Sequence, residues 1–242
     1  MKNSIRIKYF FLAIGLFFIS SANGQFGLRL KFNQNNYKNW ENVLVQRFQI
    51  DNRLFSKGYE AGLDYWFRLE KRRVEFMPEL AYSFSATTFD NHSIDKFGIG
   101  IFSFNFHTHI YALDMEGDCD CPTFSKQGPS INKGLFFHFT PGISYYNATG
   151  EAQPILSSMP ITNNSAQGLI FKVGGGIGLD LGISDILTVT PIVSYYFYGP
   201  MTWKKLAVNG LDFVDSKNNL SMLQFSIRLG FRADYNNRRF KR

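Results

Sequence analysis

Val74-Glu75-Phe76-Met77-Pro78-Glu79-Leu80-Ala81-Tyr82-Ser83-Phe84, residues 74–84, decides the fold. Taken in steps of two, Val74, Phe76, Pro78, Leu80, Tyr82 and Phe84 share one face of an extended chain. Glu75, Met77, Glu79, Ala81 and Ser83 share the other. Period two is the mark of a strand. One face carries aromatics and the other carries carboxylates, and several further segments do the same. A closed barrel with a polar interior and a lipid-facing exterior accommodates this pattern. A soluble, lipocalin-like barrel would need the opposite arrangement, with apolar residues inside and charges outside.

Working outward from this segment, the alternation predicts strands at 26–33, 57–69, 74–85, 96–112, 134–146, 168–182, 186–198 and 221–235. The expected fold is all-β, an eight-stranded antiparallel up-and-down transmembrane β-barrel, with ten strands as the alternative; either even count suits a single-chain bacterial barrel. Strand 96–112 slips phase. Phe97, Ile99 and Ile101 occupy odd positions, then Phe102, Phe104, Phe106 and Ile110 occupy even ones, and a β-bulge near Ile101-Phe102 would put all of them outside.

An apolar-x-Pro-x-apolar-x-Tyr repeat runs through Phe76–Tyr82, Phe139–Tyr145 and Val189–Tyr195. Proline donates no ladder hydrogen bond, so three prolines in the same phase predict the same local bulge on strands of one direction. The tyrosines are then expected at one height, as in an aromatic girdle. Connections are expected to alternate between short turns and loops of about twenty residues, the pattern of periplasmic turns and outer loops. The segment 113–133, which holds both cysteines, is long for a turn.

The ends of the chain fit the same compartment. Residues 1–24 read as a secretory signal: Lys2, Arg6 and Lys8 precede an apolar run from Tyr9 to Ile19, and Ala22-Asn23-Gly24 supplies a small-residue cleavage site. The expected organisation is a signal peptide over 1–24, a barrel over 25–235 and a basic periplasmic tail over 236–242. The formal charge of +7 falls to about +4 once the three basic residues of the leader are removed, so nucleic acid is not an expected partner. Aromatics make up 17% of the chain and phenylalanine alone numbers 26, a load that lipid-facing bands and girdles consume.

The final strand ends Arg228-Leu229-Gly230-Phe231-Arg232-Ala233-Asp234-Tyr235. With Arg228, Gly230 and Tyr235 in place, it resembles the C-terminal insertion signal that barrel-assembly machinery reads. Together with the alternation and the repeated proline, it makes the chain similar to the small outer-membrane β-barrel family of the Bacteroidetes type, within the porin family. That resemblance covers nearly all of 25–235. It implies localisation in the cell outer membrane, with outer-membrane lipid and the assembly machinery as partners. It implies little about activity, because such barrels serve as adhesins, anchors, secretion accessories and, rarely, enzymes.

Residue chemistry supplies four candidate constellations. Inward-facing charges form an expected polar network: Glu60, Asp64, Glu75, Glu79 and Asp180 against Arg29, Lys31, Arg68, Lys172, Arg228 and Arg232. An eight-stranded barrel is narrow enough to be filled by side chains, and buried charges must pair. His107, His109 and His138 face the same interior, where imidazoles beside carboxylates suit a transition metal or a polar network. Cys119 and Cys121 flank one residue in a secreted chain, which leaves open a strained disulfide clip, free or metal-binding thiols, or a redox pair. His92-Ser93 with Asp90 and Asp95 is the one loop grouping that a hydrolase would use, and a solvated loop explains it as well. Gly174-Gly175-Gly176-Ile177-Gly178 lies inside a strand pattern and is no phosphate loop.

The expected function is therefore non-enzymatic, without a cofactor: a structural, adhesive or accessory barrel working through its loops and its cysteine turn, with periplasmic or surface proteins as possible partners. The alternatives are an accessory subunit of an outer-membrane secretion or assembly complex, and a barrel-embedded lipid-modifying enzyme.

Overall fold

The computed structural model describes residues 25–48, 53–69, 72–88, 94–113, 115, 130–152, 162–184, 186–206 and 214–232. The strands are β1 (Gln25–Asn36), β2 (Lys57–Arg68), β3 (Val74–Thr88), β4 (Ile94–Ile110), β5 (Leu135–Ala152), β6 (Thr162–Leu179), β7 (Leu187–Leu206) and β8 (Val214–Arg232). Helix α1 (Lys38–Phe48) lies between β1 and β2, and a single turn, α2 (Ser130–Gly134), leads into β5. Each strand pairs antiparallel with its sequence neighbour, β1 pairs with β8, and β6 meets β7. The result is a closed eight-stranded antiparallel barrel. Leu181–Gly182 continues β6 past a break at Asp180 and pairs with β7 in the same register.

Burial alternates strictly along most strands. On the outside, Phe26, Leu30, Leu63, Leu80, Phe104, Phe137, Phe171, Ile177 and Ile227 are exposed. On the inside, Arg29, Lys31, Glu60, Asp64, Glu79, His107, Lys172 and Arg228 are buried. Inward glycines make room where large side chains cross the lumen. A Cβ on Gly174 would collide with the Tyr196 ring, and one on Gly178 would collide with that of Phe136.

Strand length brings a second structure into the same barrel. A membrane crossing needs about 9–11 tilted residues. Here β7 has 20 residues and β8 has 19, so the strands run well past the bilayer. The excess lies at the end away from Gln25 and Arg232, termed here the loop end. Polarity inverts there. Gln34, Asn147, Thr149, Ser165, Gln167, Lys204 and Lys217 face outward and are exposed, while Phe97, Ile99, Ile101, Tyr146, Ala148, Met201, Trp203 and Leu220 are buried inside. Water replaces lipid outside, so the outer face turns polar and the inner face becomes an ordinary dry core.

This inversion corrects the reading of β4. No bulge occurs at Ile101-Phe102; the pairing of β3 with β4 runs unbroken from Val74↔Ile110 to Thr88↔Lys96. Phe97, Ile99 and Ile101 point inward, and Phe102 and Phe104 point outward. The expected proline bulges are absent too. Ladder pairs are missing beside Pro78 between Asp64↔Glu79 and Phe67↔Phe76, beside Pro141 between Asn105↔Gly142 and Thr108↔Phe139, and beside Pro191 between Gly178↔Ile192 and Leu181↔Val189. The register on either side is the same, so each proline costs ladder bonds without inserting a residue. Tyr82 and Tyr145 are level across Phe102, and Tyr195 pairs with Leu223. The connections 153–161 and 207–213 are far shorter than the expected loops, because β5 through β8 extend into that sequence.

Real bulges occur on β7 near the loop end. Its register on β8 shifts between Phe197 and Pro200 and again between Trp203 and Leu206. Beyond Lys172↔Tyr198 the β6–β7 ladder stops, where Pro200 offers no N–H. The Tyr146 hydroxyl bridges to β7 instead: it accepts from Thr202 N and donates to Thr202 O, both at 3.0 Å. The shift also changes which side chains of β7 face inward, and so brings Trp203 into the core.

Candidate functional site

The interior carries two stacked arrangements, each built by the alternation of the strands around it. In the membrane half, Lys31 on β1 donates to Glu60 at 2.6 Å and to Glu79 at 2.7 Å. Glu79 also accepts from Asn105 Nδ2 at 2.7 Å, and Glu60 accepts from Asn33 and Gln224 at 3.3 Å. Asp64 is clasped by Arg29 Nε at 2.8 Å and by Arg228, whose Nη2 lies 2.6 Å away. These side chains are nearly free of solvent contact, so each charge is compensated by geometry rather than by water. Lys172 donates to the Tyr198 hydroxyl at 3.2 Å and lies 5.2 Å from the centroids of the Tyr196 and Tyr198 rings.

The histidines continue the network. His107 Nε2 is 2.8 Å from Glu79 Oε2, and His107 Nδ1 is 2.8 Å from His138 Nε2. His138 Nδ1 is 2.8 Å from Ser194 Oγ. A carboxylate only accepts, so His107 carries its proton on Nε2 and its Nδ1 is an acceptor. The Thr140 hydroxyl joins the two rings, 2.8 Å from His107 Nδ1 and 2.5 Å from His138 Nε2. Ser194, His138, Thr140, His107 and Glu79 form one connected hydrogen-bonded relay. Ser194 is 3% exposed, so this relay lies inside the packed lumen.

His109 pairs with His138 in the ladder, as the register predicts, yet its ring stacks on Phe136 with centroids 3.9 Å apart and its nitrogens have no hydrogen-bond partner. The three imidazoles therefore do not converge as a ligand set. Among the described residues no group of three or more His, Cys, Asp or Glu is arranged to hold a metal. The expectation of a metal on His107, His109 and His138 is corrected accordingly: His107 and His138 are a hydrogen-bonded pair, and His109 is a stacked one.

At the turn end the lumen is stoppered. Asp180 accepts from the hydroxyls of Tyr111 and Thr190, and Glu75 Oε2 lies 2.9 Å from the Tyr111 hydroxyl. The Arg73 guanidinium covers the Tyr111 ring at 4.4 Å and donates to the Lys133 carbonyl of α2. Arg68 is partly exposed beside Glu75, its ladder partner. Arg232 ends β8.

At the loop end the stopper is α1, where the period-two pattern predicts only loop. Asn36 Oδ1 caps its start by accepting from Lys38 N at 3.1 Å. Tyr37, Trp40 and Leu44 then fall on one face and are fully buried in the barrel mouth. Trp40 meets Trp203 edge to face at 5.3 Å, Tyr37 stacks on Trp40 at 5.4 Å, and Phe97 meets Trp203 at 5.5 Å. The returning chain is pinned as well. Phe55 adopts a left-handed backbone, φ 50°, held where its N–H donates to Thr87 Oγ1 at 2.7 Å and its carbonyl accepts from Asn35 Nδ2 at 2.9 Å. The spacing Tyr37-x-x-Trp40-x-x-x-Leu44 was the available signal for this helix.

An apolar belt outside, a paired ionic interior and no open sheet edge at membrane height meet what a bilayer demands of a strand protein. The chain is a β-barrel of the outer membrane. No family model matches the sequence, and no curated protein matches it. Among solved structures it is similar to Neisserial surface protein A, at 10% identity and a TM-score of 0.41 over 86% of this chain and 96% of that one. It is similar to Ail, the attachment invasion locus protein of Yersinia pestis, at 13% identity and a TM-score of 0.42 over 85% and 98%. A major outer membrane protein from Thermus thermophilus matches at 7% identity and a TM-score of 0.44 over 86% and 99%.

The remaining candidates of this barrel divide simply. Arg228 and Gly230 of the insertion signal sit on β8 against Arg29 and Gly27 of β1. Residues 1–24, Asp90, His92, Ser93, Cys119, Cys121, Tyr235 and the tail 236–242 lie outside the described residues.

Proposed function

We propose that the protein is a non-enzymatic outer-membrane barrel that works at its two ends, as a structural, adhesive or accessory protein of the kind found among small Bacteroidetes barrels. The observation that carries this reading is the double stopper: ionic side chains fill the membrane half, and α1 with its aromatic partners fills the loop end. A lumen closed at both levels serves neither diffusion nor a buried active site, which leaves the ends as working surfaces. In this reading the loop end faces the cell exterior and the 111–134 connection, with Cys119 and Cys121, faces the periplasm.

Four measurements test it. Planar-bilayer recordings of the purified barrel are expected to show only small, erratic conductance, and large stable steps overturn the closed lumen. An untagged pull-down from detergent-solubilised membranes distinguishes the roles: a stoichiometric periplasmic partner selects an accessory subunit, and changed lipid A in a deletion strain overturns the non-enzymatic reading. Membrane-impermeant thiol labelling of intact, pre-reduced cells fixes the orientation, since labelled cysteines would place the 111–134 connection outside.

A further inference from the structure

Where the lipid-facing belt ends, the chain forms an overhang. Gln34, Leu223 and Tyr195 are ladder partners in one row across β1, β8 and β7, and all three face outward. Above this row the start of α1 and the returning chain at Arg53 project over the barrel wall and enclose a groove of about 450 Å³. The lining is polar on the side of Gln34, Asn35, Asn36 and Ser221, and apolar on the side of Leu223 and Tyr195, which continues downward into Val193 and Phe225 of the lipid belt. Two exposed cations, Lys38 and Arg53, form the upper lip. Glu41 is the acid of the groove, and it is engaged: its Oε1 accepts from Leu54 N at 3.1 Å, which ties the helix to the returning chain. Among the described residues neither Lys38 nor Arg53 forms an ion pair.

We propose that this groove binds the phosphate-bearing headgroup of a membrane lipid, with Lys38 and Arg53 on the phosphate and the acyl chains lying down the Tyr195–Leu223 surface. The position selects the ligand. A cationic lip directly above an apolar face meets a bilayer where its headgroups lie, and an anion there is held in a partly desolvated niche rather than in bulk water. A soluble anion would make no use of the apolar side. With the orientation given above, the lipid comes from the outer leaflet. The site rests on that orientation only for its leaflet, because binding to the purified barrel is measured without reference to sidedness.

The test is native mass spectrometry of the full-length mature barrel released from phosphatidylcholine vesicles doped with diphosphoryl lipid A, or with the same lipid stripped of its phosphates. The wild type is expected to retain the phosphorylated lipid, and Lys38→Gln with Arg53→Gln to weaken retention by about tenfold or more. Lys204→Gln, an exposed cation that does not line the groove, should leave it unchanged. Heat-modifiable migration of each variant establishes that it is folded, and Lys38→Arg should restore binding. Equal retention by the Lys38/Arg53 variant, or equal loss in the Lys204 variant, overturns the site. Competition by millimolar inorganic phosphate as effective as that by the lipid would show a general anion site and overturn the lipid assignment.

Discussion

The membrane half and the loop-end half of this barrel share one set of strands and obey opposite rules. Below Tyr145, the wall has phenylalanine and leucine outside and Lys31, Asp64 and Glu79 inside. Above it, Asn147 and Thr149 face out while Tyr146 and Ala148 are buried. The strand itself does not change; β5 keeps its alternation through the transition. What changes is the solvent. The lesson is that an alternating strand declares two faces but does not declare which is inside, and that one strand can answer the question differently at its two ends.

The largest effect that separates the halves belongs to the ionic interior. Glu79→Gln keeps the shape of the side chain and removes the charge that Lys31 and His107 lean on. Leaving Lys31 with one partner in a dry lumen is expected to cost about 3–5 kcal/mol, the penalty for breaking a buried pair. Urea unfolding in lipid vesicles measures it. No substitution of a single polar residue on the outer wall of the loop end should approach that figure; if one does, the two halves do not differ as described.

A smaller effect comes from one substitution made on the same outer face at two heights. Leu80→Arg places a charge in the lipid belt and is expected to cost about 2–4 kcal/mol at mid-bilayer depth. Asn147→Arg places it above the belt and should stay within about 0.5 kcal/mol, as an exposed substitution does. Equal costs would mean that lipid reaches Asn147 and that the boundary lies higher than Tyr145.

The barrel was legible in the sequence wherever lipid made the outer face greasy. Strands β1, β2 and β3 announce themselves because apolar residues alternate with charged or small ones over the membrane half, and β7 does so with Thr188, Thr190 and Ser194 in place of charges. The loop end was illegible for a physical reason. Its residues obey the rule of soluble proteins, so Phe97, Ile99 and Ile101 looked like outward residues displaced by a bulge when they are inward residues of a second core. The stretches leading to Ala152, Thr162 and Leu206 hide for the same reason: Asn147, Thr149, Ser165, Gln167 and Lys204 on the outer face look like loop. Helix α1 is hidden in a period-two pattern because its one apolar face, Tyr37, Trp40 and Leu44, recurs at helical spacing. Of the interior, inward parity puts opposite charges on one face, and the register decides which of them meet, as Lys31 with Glu60 and Glu79 and Arg29 and Arg228 with Asp64. The relay from Ser194 to Glu79 was not legible, because Ser194, His138, His107 and Glu79 lie on four different strands, and only the register brings them into line.

The smallest effect sharpens the comparison most, because it asks the same question of the same residue type on opposite faces. Ile99 is 1% exposed inside the loop-end core, whereas Ile227 faces lipid on β8. Ile99→Val removes one methylene from a packed interior that cannot refill the space, so the lost contacts and the small cavity together should cost about 0.5–1.5 kcal/mol. Ile227→Val removes the same group from a surface against which lipid chains rearrange freely. No cavity remains, and the hydrocarbon around the residue is as apolar as the side chain that left. The expected change is therefore close to zero in urea unfolding from vesicles, with the same slope as the wild type. If Ile99→Val is silent and Ile227→Val is costly, β4 carries the outward parity that its sequence first suggested, the bulge at Ile101-Phe102 is real, and the second core does not exist.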